Sequence, residues 1–419
     1  MRVLWIVNML LPEIAQHLNV KTSLSGSWME DASQKLSKKG SVNLSIACVY
    51  GKEFKKIKIN NITYYLIPGT SRDFLFYNKK LKKYWNLIIK DEKPHIVHIH
   101  GTEYTHSISY LRGNHNIPTV VSIQGTLNRI KDIYYGEMTT CEVLRFRTFK
   151  EYLKFNGIIE MRMLHKKNAK YESEIIRSVG YANCVNTYQE SITLNINPNI
   201  NIFQLEYNLR NGFYNSPKWK LDTDNRLTIF TNPGGTPLKG LHKLLYAINI
   251  VKRSYPSIQL RVPGFNHSNG VLKVTSGYSK YIKYLIKKLN LENNITFLGG
   301  LNESEMISNM LNSRMVVIPS AIETVSLILR EAMYLGVPSI ASFRGGMADY
   351  ITNKVDGFLY DFPEVEYLAT RIIELIENDE LCLTLSKNAI AKAELSHQRE
   401  HNIEQMHNMY EQIVEEKRK

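Results

Sequence analysis

The sequence predicts an α/β protein made of two open, doubly wound parallel sheets. Three observations predict it. Short apolar, β-branched runs of four to seven residues recur along the chain, and continuous runs of that kind suit parallel strands covered on both faces. Helical patterns separate them, which implies repeated βαβ units. The runs also fall into two groups. Between the groups lies the polar stretch Asn208 to Arg226, with Pro217 and the run Asp222-Thr223-Asp224-Asn225.

In chain order, the first group is Val3–Val7, Leu44–Tyr50, Ile62–Ile67, Ile96–Ile99, Thr119–Ile123 and Ile202–Leu205. The second is Leu227–Thr231, Ile258–Val262, Ile295–Leu298, Met315–Ile318, Ser339–Ser342 and Gly357–Tyr360. This places one domain over 1–207 and a second over 208–395. Residues 396–419 form a terminal helix with Ile403, Met406, Met409, Tyr410, Ile413 and Val414 on one face. A single apolar stripe must dock on something, and the expected partner is the first domain. Open sheets of this kind bind ligands beyond the carboxyl ends of their strands, so the chemistry is sought in the βα loops.

Length and composition fit this reading. The chain has 419 residues, enough for two or three domains at roughly 150 residues each. It is 43% hydrophobic and 22% charged, an ordinary globular balance that argues against wholesale disorder. Cys48, Cys141, Cys184 and Cys382 are far apart. They suggest neither a metal cluster nor a disulfide framework, and they point to a reducing cytoplasm. The run Val3–Leu11 is too short to span a bilayer and is followed by Pro12-Glu13. The chain is therefore expected to be soluble or peripheral.

The net charge of +14 is uneven. Residues 1–200 hold 28 basic and 16 acidic side chains, and residues 201–419 hold 25 and 23. The excess concentrates in 51–93, with 11 basic and 4 acidic, and in 127–170, with 10 and 5. Basic residues interleave with aromatics in Phe74, Phe76, Tyr77, Lys79, Lys80, Lys82, Lys83, Tyr84 and Trp85. Such a stripe attracts an anionic lipid surface, a diphosphate-bearing substrate or nucleic acid; otherwise it is a solvated helix face. With no zinc-finger or RNP-type motif, nucleic acid is not the expected partner.

The most informative stretch is Pro319-Ser-Ala-Ile-Glu-Thr-Val-Ser-Leu-Ile-Leu-Arg-Glu-Ala-Met-Tyr-Leu-Gly-Val-Pro338. It follows the strand Met315–Ile318. Ser326 suits an N-cap, the helical pattern runs to about Leu335, Gly336 suits a left-handed C′ position, and Pro338 blocks continuation. A helix N-terminus at a strand end favours an anion such as a diphosphate. Glu323 precedes the helix and Glu331 lies inside it. Each carboxylate can accept two hydrogen bonds from a vicinal diol. Lys239-Gly240, in Gly234-Gly-Thr-Pro-Leu-Lys-Gly240, follows the first strand of the second half and brings a point charge to a phosphate.

The motif Glu323 to Glu331, Ala332-Met333, Gly336-Val337-Pro338 resembles the family-four retaining glycosyltransferases of the GT-B fold, whose two Rossmann-like domains face a central cleft. The likeness runs over nearly the whole chain. Val3-Leu-Trp-Ile-Val-Asn8, Leu11-Pro12-Glu13, His98-Ile-His100-Gly101-Thr-Glu103-Tyr104 and Ser122-Ile-Gln-Gly125 resemble a bacterial capsular or surface-polysaccharide branch. The resemblance implies that Glu331 binds the donor ribose and Glu323 the donor sugar. It implies that backbone amides at Ser326 and Leu327 hold the distal phosphate. It makes Lys239 the neutralising cation, and Gly234, Gly235 and Gly26 (in Ser25-Gly26-Ser27) places of close backbone approach to the donor. His100, Glu103 and Gln124 become acceptor or cleft candidates.

Three departures stand out. Gly234 occupies the position that is usually Arg, leaving Arg261, Arg330 or Arg344 to substitute. Gln124 stands where many members have His, and Thr324-Val325 replaces an Asn-rich interior. The implied activity is transfer of a sugar from a nucleotide sugar to a glycan acceptor, expected to be lipid-linked at the inner face of an anionic membrane, in surface or capsular polysaccharide biosynthesis. It needs no cofactor and no metal. Asp222-Thr-Asp224 is read as a polar loop rather than a DxD metal site, and His98 with His100 lacks a third ligand. Two alternatives stay open: a nucleotide-sugar 2-epimerase and a non-catalytic glycosyltransferase-like partner.

Overall fold

The computed structural model describes residues 1–20, 27–113 and 115–418. The chain forms two compact units. One comprises Met1–Asn128, Leu164–Arg210 and His397–Lys419, and the other Arg129–Met163 and Asn211–Ser396.

The first unit is built on eight strands: β1 (Arg2–Val7), β2 (Asn43–Val49), β3 (Lys55–Ile59), β4 (Ile62–Ile67), β5 (Ile96–His100), β6 (Thr119–Ser122), β7 (Tyr181–Asn183) and β8 (Asn201–Phe203). Their spatial order is β3-β4-β2-β1-β5-β6-β7-β8. Val3 of β1 pairs with Leu44 of β2 on one side and Ile96 of β5 on the other. All neighbours are parallel except β3, which is antiparallel to β4. Leu4, Ile6, Val97, Ile99 and Val121 are buried with Trp85 and Ile88 of a covering helix. Val3, Trp5 and Val7, which alternate with Leu4 and Ile6 along β1, are buried too, and cover on both faces is why these strands read as unbroken apolar runs.

Two strands of this sheet were not expected. β3 reads Lys-Lys-Ile-Lys-Ile, whose charge hid it. As an edge strand its lysines block pairing with other chains. Part of the basic excess in 51–93 is thus edge protection. β7 spans only three residues, Tyr-Ala-Asn, too few to show a period.

The terminal helix, Arg399–Arg418, packs in the first unit. Ile403, Met406, Met409, Tyr410 and Ile413 are buried. Trp5 Nε1 donates to the Tyr410 hydroxyl at 3.0 Å, and that oxygen lies 2.6 Å from His98 Nδ1. Arg399 pairs with Asp31.

The second unit contains β9 (Thr228–Phe230), β10 (Gln259–Pro263), the small hairpin β11 (His267–Ser268) and β12 (Val271–Leu272), then β13 (Ile295–Gly299), β14 (Met315–Ile318), β15 (Ser339–Ser342) and β16 (Phe358–Tyr360). Its six-stranded sheet is ordered β13-β10-β9-β14-β15-β16 and is parallel throughout. The chain runs outward from β9 through β10 to β13, then returns to the other side of β9 as β14. This reversal makes β9 and β14 the switch point, where open sheets bind ligands.

The expected boundaries at 207/208 need one correction. Residues 129–163, assigned from sequence to the first domain, group with the second unit. The contacts give the reason. His242 Nε2 donates to the Gly136 carbonyl at 2.7 Å, and the Gly277 amide donates to the Glu151 carboxylate at 2.8 Å. Phe146 packs on Tyr281 and Tyr284, each 5.0 Å away between ring centres. These partners are distant in sequence, so no local pattern announces them. Among the described residues no helix is long and apolar enough to cross a membrane.

Candidate active site

Because β9 and β14 are parallel neighbours, the loops that follow them emerge at the same edge. The β9 loop ends in a tight turn, Pro237–Lys239, closed by Gly240 with φ of 70°. A Cβ on Gly240 would lie 1.6 Å from the Pro319 carbonyl oxygen, so only glycine lets the two loops touch. The Ala321 amide then donates to the Leu238 carbonyl at 2.7 Å. This joining brings Lys239 Nζ to 2.6 Å from Glu323 Oε1. The Ser320 hydroxyl donates to the same oxygen, also at 2.6 Å. Glu323 is buried, and its backbone is held from the β15 loop: the Gly346 amide donates to its carbonyl at 2.8 Å.

The helix after this loop runs Leu327–Leu335 and ends at Gly336, φ 81°. Ser326 occupies the N-cap position, but its hydroxyl makes no cap hydrogen bond, contrary to expectation. Backbone geometry explains this. Thr139, Thr148, Ser276 and Asn302 do cap helices here, with ψ between 153° and 178°. Ser326 has ψ 93°, which aims its oxygen elsewhere. Ser326 Oγ is buried without a partner among the described residues. The first-turn amides, Leu327 onward, have no intrahelical acceptor and no side-chain cap. The arrangement is a set of donors at a helix N-terminus with a lysine beside it, which suits a phosphate. Glu331 is buried in the second turn, next to Arg330, whose guanidinium lies 5.6 Å from the Tyr350 ring centre.

The three arginines expected to replace the one absent at 234, Arg330 included, all have interactions of their own. Arg261 donates to the Asn312 carbonyl at 3.2 Å, and Arg344 pairs with Asp361 at 2.7 Å. Gly234 has φ 60°, and space around Gly234 and Gly235 is open. Asp222 closes a turn on itself, accepting from the Asp224 amide at 2.9 Å and from Asn225 at 2.7 Å.

In the first unit, the switch point lies between β1 and β5. Asn8 follows β1, Glu103 follows β5 and Gln124 follows β6. Around the α-face of Gly101, Glu103 Oε2, Gln124 Oε1 and Asn8 Nδ2 lie 2.7, 3.1 and 3.4 Å from where a Cβ would sit. Glu103 Oε2, Gln124 Nε2 and Asn8 Oδ1 are shut from solvent with no partner among the described residues. Burial pushes the Glu103 carboxyl up. A cluster of unsatisfied donors and acceptors at strand ends is suited to a hydroxyl-rich ligand.

Glu172 fixes these loops. Its carboxylate accepts from the Leu127 and Asn128 amides at 2.9 and 2.8 Å, from Asn128 Nδ2 at 2.6 Å and from the Thr102 hydroxyl at 3.2 Å. Burial pushes its carboxyl up to about 7.

His100 departs from the expected cleft position. It is fully buried, stacked on His98 at 3.9 Å and 4.5 Å from Trp5 between ring centres. Aromatic packing, not an open loop, surrounds it. Gly26 lies outside the described residues. Among those residues, no three His, Cys, Asp or Glu side chains gather as a metal site.

Residues 215–392 match the family Glycosyl transferases group 1. This group 1 segment carries Lys239, Glu323, Ser326 and Glu331. Curated relatives include an uncharacterized glycosyltransferase of Bacillus subtilis, 29% identical over 156 residues, or 37% of this chain and 41% of that protein. Another is the D-inositol 3-phosphate glycosyltransferase of Corynebacterium urealyticum, 27% identical over 154 residues, or 36% and 35%. The chain spans less than half the length of these relatives.

Solved structures match over the whole chain. Sucrose-phosphate synthase from Thermosynechococcus elongatus has a TM-score of 0.74 at 15% identity, covering 99% of each chain. The Anabaena protein Alr3699/HepE, in complex with UDP-glucose, has 0.68 at 15%, covering 98% of this chain and 100% of that one. The fold is GT-B, with two Rossmann-like units.

Among the expected residues of the group 1 segment, the structure gathers Lys239, Glu323, Ser326 and Leu327 at one switch point, with Glu331 on the same helix. It also shows Ser320 and Gly346, which the sequence sets in the context of the motif but does not mark as site residues. The signal for Ser320 was the Pro319-Ser320 pair that follows β14; the signal for Gly346 was the Gly345-Gly346 pair after β15. Asn8 was likewise missed as a site residue, though it directly follows β1, a central strand of its sheet.

Proposed function

We propose that this chain is a nucleotide-sugar-dependent glycosyltransferase. The observation that carries the reading is Lys239 at 2.6 Å from Glu323, beside an uncapped helix N-terminus at the switch point of the second sheet. The group 1 match over 215–392 and fold neighbours crystallised with UDP-glucose or UDP support it.

In this reading Glu331 accepts hydrogen bonds from the donor ribose and Glu323 contacts the donor sugar. The Ser326 hydroxyl and the amides from Leu327 meet the distal phosphate, with Gly234 and Gly235 allowing the backbone to approach. Lys239 balances the charge of the departing diphosphate. The reaction retains anomeric configuration. The bond from the sugar's anomeric carbon to phosphate oxygen breaks while a bond to the acceptor oxygen forms on the same face. The acceptor hydroxyl's proton passes to the leaving phosphate oxygen. The protein's part is positioning and charge stabilisation, so no side-chain base, cofactor or metal is required. Asn8, Glu103 and Gln124 contact a glycan acceptor. We place that acceptor on a lipid carrier, the protein at the inner face of an anionic membrane, and the product in surface or capsular polysaccharide.

The test is incubation of purified protein with nucleotide sugars and glycan acceptors, with product analysis by NMR. The expected result is transfer with retained anomeric configuration that survives EDTA. Donor epimerisation without acceptor, or no turnover of any donor, contradicts it.

A further inference from the structure

The segment Thr139–Met163 forms a short helical hairpin, Thr140–Phe146 followed by Phe149–Lys154, before a long helix begins at Ile158. Both hairpin helices are firmly capped. Thr139 and Glu142 form one capping box, and Thr148 and Glu151 another. The inner side is anchored in its unit by Val143, Phe146 and Glu151, all buried. Among the described residues, the outer side concentrates exposed apolar side chains. Phe149 is 76% exposed, Leu153 61% and Phe155 74%, with Leu144, Tyr152 and Met163 also exposed. Contiguous exposed apolar side chains on a rigid scaffold mark an interaction surface.

Phe155 adds a second observation. It ends the helix in the left-handed conformation, φ 50° and ψ 43°, where glycine is unstrained and a bulky aromatic is disfavoured. The strain is not repaid by burial of the ring.

Charge identifies the occupant. The segment 139–163 holds five basic and three acidic side chains. All three acids are engaged: Glu142 in its capping box and with the Tyr281 hydroxyl at 3.0 Å, Glu151 with the Gly277 amide, and Glu160 with Arg147. The outward charge is therefore positive, from Arg145, Lys150 and Lys154, all exposed. Aromatic and aliphatic side chains flanked by lysines suit the headgroup boundary of an anionic bilayer. A second copy seated on this surface would set like charges against each other.

We propose that the hairpin Thr139–Met163 docks the protein on an anionic lipid bilayer, inserting Phe149, Leu153 and Phe155 between headgroups. This rests on the reading of a membrane-associated transferase and deepens it by naming the surface.

The experiment is co-sedimentation of the full chain with phosphatidylcholine vesicles, with and without roughly 30 mol% phosphatidylglycerol. The variants are Phe149→Ser/Leu153→Ser/Phe155→Ser and the single Phe155→Gly. The expected result is binding that requires the anionic lipid and falls about a hundredfold in the triple variant, with nucleotide binding unchanged. Phe155→Gly should raise Tm, by relieving the backbone, yet weaken vesicle binding; a purely structural role would move only Tm. No binding by the wild type, equal binding to neutral vesicles, or equal binding by the triple variant overturns the proposal. So does concentration-dependent self-association that the triple variant abolishes without any vesicle binding. Absence of nucleotide binding would defeat the transferase reading and leave the vesicle result to stand or fall separately.

Discussion

Lys239 Nζ lies 2.6 Å from Glu323 Oε1, across 84 residues of sequence. Neither side chain reaches the other by local structure. They meet because β9 and β14 are adjacent and because Gly240 lets the Pro319 carbonyl approach. The pair gives the candidate site a cation that can turn toward phosphate and a carboxylate that Ser320 continues to hold.

Lys239→Ala therefore has two effects. It weakens binding of a nucleoside diphosphate by about 10- to 100-fold while sparing the nucleoside, because the lost partner is the phosphate. It also leaves the buried Glu323 carboxylate without its cation, costing about 1 kcal/mol after allowance for solvent screening of the half-exposed lysine. Denaturant titration should show part of this cost recovered in Lys239→Ala/Glu323→Gln.

Gly240→Ala tests the junction between the loops. A methyl group 1.6 Å from the Pro319 oxygen must push the loops apart, and the residue also carries a positive φ. The expected loss is about 3 kcal/mol or more, with nucleotide affinity lost as well. Wild-type-like stability in chemical denaturation would contradict the packing described.

The first-unit cluster should act on transfer rather than on donor binding. Glu103→Gln and Gln124→Ala are expected to keep nucleotide affinity within about twofold and to lower the transfer rate by about 10- to 100-fold. Calorimetry and product formation, measured on the same preparations, separate the two.

Acid should destabilise the protein. Burial lowers His98 and His106 to about 3 and His242 to about 4, from an ordinary value near 6.5. The unfolded chain then binds protons that the folded chain refuses. Stability is full above about pH 6.5 and falls below it, by up to ~1.4 kcal/mol per pH unit for each histidine. Glu172 works in the opposite sense: raised to about 7, it binds its proton first in the folded state and offsets part of the loss between pH 7 and 4.5. Glu172→Gln should therefore make the fall on acidification steeper. A flatter profile would show the sign to be wrong.

Much of the second unit was legible in its sequence. All six strands of its main sheet overlap apolar runs of the sequence, and Gly336-Val-Pro338 marked the end of the site helix. The capping role of Ser326 was not legible, because residue type suggests a cap while ψ decides it. β3 was hidden by its lysines and β7 by its brevity. The placement of 129–163 depends on Glu151 meeting the Gly277 amide and His242 meeting the Gly136 carbonyl, contacts with no sequence period. His100 looked like a loop-edge residue because alternation along β5 does not reveal that Trp5 and His98 cover it.

The central claim is that Glu331 and Lys239 belong to one nucleotide-binding site. Isothermal titration with UDP, GDP, ADP and CDP, on wild type and Glu331→Ala, tests it most directly. The account predicts that one nucleotide binds, that at a hundredfold over its Kd it stabilises the fold by ~2.7 kcal/mol, and that Glu331→Ala abolishes the binding. If none of the four binds the wild type, or if Glu331→Ala binds as well as the wild type, the site has been wrongly assigned.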